Sequence, residues 1–156
     1  MIAERLQDAY DIVLIDSRTG YTPMSAACTL TLPDLVVLVF TLNHQNLSGA
    51  QQIVSRLEEL RTDRLLVLNM VPGLGDELVE PRRTELEERG LRGAYELPLC
   101  PELIISERVS GLASRASAAE GSGPERETPP GEAHRREGYD ALATAVAKAF
   151  DDKRRG

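Results

Sequence analysis

With 156 residues, 42% of them hydrophobic, the chain has the length of one packed domain and is too apolar for a disordered polypeptide. Aromatics make up 4% and Trp is absent, so the core must be built from Leu, Val, Ile and Ala. A formal net charge of -7 argues against any general affinity for nucleic acid or anionic membrane, and no apolar run reaches the ~20 residues that cross a bilayer.

In chain order, Ile2 and Leu6 at i, i+4 predict that residues 1–9 end a helix. Ile12-Val13-Leu14-Ile15 follows as a continuous apolar run. Strands buried on both faces read this way, and they belong to parallel sheets covered by helices. Leu35 to Phe40 and Leu65 to Leu68 repeat the pattern, and a weaker strand is predicted over Ala94 to Leu99. Between the second and third strands, Leu47, Ala50, Ile53, Val54, Leu57 and Leu60 fall at helical spacing, with Asn46 or Ser48 as cap. Gly73-Leu74-Gly75 reads as a connector. Pro81 then suits a first helical turn, Leu86 faces inward, and Gly90 stands just past the helix end. The alternation predicts an α/β fold, a parallel sheet flanked by helices with right-handed crossovers.

Residues 116–135 are rich in Ser, Gly, Pro, Glu and Arg and read as a flexible loop or linker. Tyr139, Leu142, Val146, Ala149 and Phe150 then form the stripe of a terminal helix that docks on the sheet. The expected division is 1–115, a partial α/β domain; 116–135, linker; and 136–152, terminal helix. Lys153, Arg154 and Arg155 read as a solvated end.

Cys28 and Cys100 form no CxxC pair and no ligand cluster, which argues against a zinc site and for a reducing compartment. The start carries no basic-then-apolar signal pattern, so the expected location is cytoplasmic. His44 and His134 read as surface or loop histidines. Glu85, Glu87 and Glu88 read as a solvated helix face.

Asp16 is the most informative residue. It ends an apolar strand and precedes a small turn containing Gly20. Ligands of open α/β sheets bind outside the carboxyl ends of the strands. An Asp there can hold Mg²⁺ through water, since that ion takes oxygen ligands and keeps several waters. A glycine there lets backbone approach a phosphate. Equally, Asp16 can simply cap the turn.

The segment Tyr10-Asp11-Ile12-Val13-Leu14-Ile15-Asp16-Ser17-Arg18-Thr19-Gly20 resembles the second switch region of the MinD/ParA-like (SIMIBI-class) P-loop ATPases, where it reads YDxVxxDxxxG and, in one branch, YDxVLIDSRTG. Pro33-Asp34 with Leu35 to Phe40 resembles the family's next strand. Leu65 to Asn69 resembles the strand ending in the asparagine that reads adenine. Leu97-Pro98 and the Val109 to Leu112 region resemble its late iP…v…G segment. The likeness spans residues 8–115.

The resemblance implies ATP and Mg²⁺ as cofactors. It implies Asp16 beside Mg²⁺ (through water) and the attacking water, Gly20 near the γ-phosphate, Asn69 on the adenine ring, and Pro98 in the nucleotide site. Arg18 either pairs with phosphate, is a solvated charge, or contacts a partner. A homodimer or a full-length ATPase relative is the implied partner. The family's KGGVGKT-like phosphate loop has no match: G-x-x-x-x-G-K-[ST] occurs nowhere. The resemblance therefore implies a start inside the family's domain and no activity alone. It also implies a missing strand between those of Asp16 and of Leu35–Phe40. Either those two strands pair directly, or the missing part comes from other sequence. A non-catalytic regulatory or interaction module is the alternative.

Overall fold

The computed structural model describes residues 5–6, 9–17, 26–73, 76–99 and 132–155. A parallel sheet of three strands is its centre, in the order β1 (Leu35–Phe40), β2 (Asp63–Val71), β3 (Tyr95–Pro98). Helix α1 (His44–Leu60) joins β1 to β2, and α2 (Asp76–Glu88) lies between β2 and β3. Helix α3 (Glu132–Arg155) ends the described chain. The protein is thus α/β, a parallel sheet with flanking helices.

Alternation along the strands decides the faces. Phe40, Leu66 and Leu68 bury one face of β1 and β2 in a single cluster with Leu47, Ala50 and Val54 of α1, Leu86 of α2, and Leu91. Both connecting helices therefore lie on that face. The opposite face carries Val67 and Leu97, both buried, and there α3 packs against β3. A Cβ placed on Gly138 of α3 would lie 2.8 Å from the Glu96 carbonyl oxygen and 3.3 Å from Leu97 Cδ2. Glycine is what lets this helix sit so low on the strand.

The start of α1 is capped by Asn43, not by Asn46 or Ser48. Asn43 is extended, and its Oδ1 accepts from the Asn46 backbone N–H at 2.8 Å. Apolar spacing located the helix but not its cap, because Asn and Ser both suit the position. At the other end Arg61 adopts φ 55°, and the Thr62 N–H reaches the Leu57 carbonyl at 3.0 Å. A left-handed residue closes helices in this way, usually as glycine.

Other expectations shift. Pro81 lies inside α2 rather than in its first turn. It forgoes one i→i−4 bond there. Gly90 does follow the helix, with φ 73°. Helix α3 begins at Glu132, inside the stretch read as linker, and continues through Lys153 to Arg155. Leu142, Val146, Ala149 and Phe150 are half-buried, while Tyr139 is exposed. Residues 116–131 lie outside the described residues.

The largest departure is at the start. Arg5, Leu6 and Ala9 are helical, as expected. Ile12–Ile15, read as a buried strand, joins neither helix nor strand and is exposed throughout. Its apolar run reports a need for burial on two sides. The three-stranded sheet does not meet that need.

Candidate functional site

In a parallel sheet all strands finish at one edge, and the loops there gather whatever chemistry the fold offers. Here that edge holds Thr41 to Asn46 after β1, Asn69 to Gly73 at the end of β2, and Pro98-Leu99 at the end of β3. Asn69 and Pro98 stand on adjacent strands, both half-buried. Val71 pairs with Pro98, and the Leu99 N–H donates to the Val71 carbonyl at 2.8 Å. The structure therefore brings these two residues to one edge.

Beside Asn69 the ladder is irregular between Leu68 and Val71. Met70 there takes φ 56° and is exposed. A non-glycine residue in this region is uncommon, and bulges re-aim side chains at the rims of sheets. Periodicity gave no sign of it, since Met70 looks like one more apolar strand residue.

After β1 three polar side chains interlock. Asn43 Nδ2 and Asn46 Nδ2 both donate to Thr41 Oγ1, at 3.0 and 2.6 Å. The first turn of α1 is thereby tied to the strand before it. None of the three stands out in the sequence as a site residue. Nearby polar pairing at a helix start was the available signal.

Farther along, Arg89 bridges α1 and the end of α2. Its guanidinium donates to Ser48 Oγ at 3.2 Å, Gln51 Oε1 at 3.0 Å and Glu85 Oε1 at 2.9 Å, and lies 3.2 Å from His44 Nε2. His44 is thus a first-turn helix residue against an arginine. Glu85 is not merely solvated: Arg82 Nη1 donates to its Oε2 at 2.6 Å. Glu87 and Glu88 are exposed. The hydrogen bond from Arg82, then that from Arg89, holds the Glu85 carboxyl below the usual carboxylate range.

A depressed folded-state pKa stabilises above the unfolded value, and that contribution is lost as pH falls through the folded one. A side-chain NMR titration should therefore give Glu85 a lower midpoint than Glu in a short peptide. Arg82→Ala should raise that midpoint. An unchanged midpoint in the variant would refute the pairing.

The remaining expected site residues are not assembled by the described structure. Asp16 is exposed and follows the unpaired Ile12–Ile15 run, so no strand fixes it at the sheet edge. Arg18 and Gly20 lie outside the described residues. Among the described residues no three His, Cys, Asp or Glu side chains gather to hold a metal ion. Among the described residues, only Asn69 and Pro98 of the expected site residues share one sheet edge.

Cys28 is a half-buried free thiol in the π-helical turn Ala27–Thr31, and Cys100 lies outside the described residues. No described helix is long and apolar enough to cross a membrane. Comparison with protein-family models, with curated proteins and with solved structures gives no match.

Proposed function

We propose that these residues form the adenine-binding side of a MinD/ParA-like nucleotide-hydrolase domain, and that the chain by itself does not hydrolyse ATP. The observation that supports this reading is the parallel β-α-β-α-β run with Asn69 and Pro98 on neighbouring strands at its carboxyl edge. An asparagine carboxamide can pair bidentately with an adenine edge. Phosphoryl transfer depends on positioning and charge stabilisation. A chain without a phosphate cradle or its lysine supplies neither, whatever Asp16 does.

A second reading, a non-catalytic interaction module, draws on a different observation. Among the described residues strand β1 has an open edge, with Val37 and Val39 exposed beside it. In that reading the partner is a second copy or a complete ATPase relative.

Isothermal titration of the purified chain with ATP–Mg²⁺ and with adenosine separates the outcomes. Equal, weak affinities, within about threefold of each other, are expected from the nucleotide reading. Binding of neither would favour the interaction module. Micromolar, Mg²⁺-dependent ATP binding would contradict the proposal.

A further inference from the structure

We infer that residues 12–16 dock as a fourth parallel strand on the free edge of β1, carrying Asp16 to the carboxyl end of the sheet. Strand β1 pairs with β2 on one side, and its other edge has no ladder partner among the described residues. The edge reads Leu-Val-Val-Leu-Val-Phe. It carries no lysine, no proline and no bulge, the devices that blunt an edge meant to face water. Val37 is 41% exposed and Val39 55%, on the face opposite α1.

The occupant is close at hand in the sequence. Ile12 to Ile15 are all exposed, Leu14 to 84%, in a run whose pattern demands two covered faces. Set beside β1, alternate side chains of this run would fall next to Leu38 on one face and next to Val37 and Val39 on the other. Both halves of its apolar surface would find apolar neighbours.

The chain path allows this. Parallel neighbours need a crossover of roughly a dozen residues or more, and residues 17–34 provide it. Handedness agrees as well. Helices α1 and α2 lie on one face as the sheet grows from β1 to β3. A right-handed crossover from a strand outside β1 into β1 must lie on that same face. The π-helical turn Ala27–Thr31, which belongs to this connection, contacts α1. A second copy is the weaker occupant. Two β1 edges related by a twofold axis pair antiparallel, and both Ile12–Ile15 runs would stay exposed.

The docking needs no nucleotide, so its failure would leave the adenine reading standing. Residue-resolved hydrogen exchange on the full chain tests it. Amides of residues 12–15 are expected to exchange at least ~10-fold more slowly than an unfolded reference, at every protein concentration. Leu14→Pro removes a donor. It should free those amides together with the outward amides of β1, while the β1–β2 ladder stays protected. Reference-rate exchange of residues 12–15 in the unaltered chain would overturn the inference. So would protection that grows with concentration, which would assign the edge to a second copy. Outward β1 amides indifferent to Leu14→Pro would overturn it too.

Discussion

Leu47→Ala is expected to lower stability by about 2–5 kcal/mol. Leu47 is 0% exposed and sits in the cluster that joins α1 to Phe40, Leu66, Leu68 and Leu86. Removing its branched end takes apolar surface out of the core and leaves a cavity between two strands and two helices. The walls cannot readily collapse, because the strands are held by their ladder and α1 by its cap. Domains are typically stable by only ~5–15 kcal/mol, and a sheet of three strands has no second core in reserve. A urea titration should therefore show the midpoint falling by roughly an eighth or more at unchanged slope. Leu60→Ala, at a 54% exposed position at the end of the same helix, should change stability by no more than about 0.5 kcal/mol. Equal effects at the two sites would refute the assignment of the core.

Gly138→Ala is expected to destabilise the protein by about 1–2 kcal/mol, against the usual sign. In an open helix interior the same change stabilises by roughly 0.8–1.0 kcal/mol, since alanine loses less backbone freedom. The contact decides the matter here. The new methyl would meet the Glu96 carbonyl oxygen at 2.8 Å. That oxygen is backbone in a paired strand and cannot swing aside as a side chain would. Helix α3 must lift, and with it the cover over Leu97. Thermal unfolding of the variant checks the sign. A gain in stability would mean that α3 does not rest on β3.

Much of this architecture was legible in the residues because the signals were strong and local. Leu35 to Phe40, Leu65 to Leu68 and the weaker run near Ala94 each became strands. The Leu47–Leu57 spacing became the buried stripe of α1. Parallel pairing followed from the alternation of strands with helices. Ile12–Ile15 fails for an instructive reason. Its pattern records an environment rather than a conformation, and a strand needs a neighbour to pair with. Glu132 to Arg135 were misjudged because a polar helix start looks like a polar linker.

The candidate site was less legible. Asn69 and Pro98 are brought to one edge by strand pairing. Met70 could not be read, since a positive φ in a Leu- and Val-rich strand has no compositional mark. The Thr41–Asn43–Asn46 triangle depends on side-chain rotamers that no spacing rule specifies. Arg89 shows the same limit: its partners Ser48 and Gln51 are 41 and 38 residues away in the chain, and such contacts emerge only after packing.

The central proposal is a base-binding edge at Asn69 and Pro98, with no phosphate cradle among the described residues. Side-by-side titration with adenosine and with ATP–Mg²⁺ reads it most directly. The triphosphate is expected to add nothing, leaving both ligands weak and Asn69→Ala weakening both alike. Should ATP bind at least ~100-fold more tightly than adenosine, a difference of about 2.7 kcal/mol, these residues would contain a phosphate site and the account would be wrong.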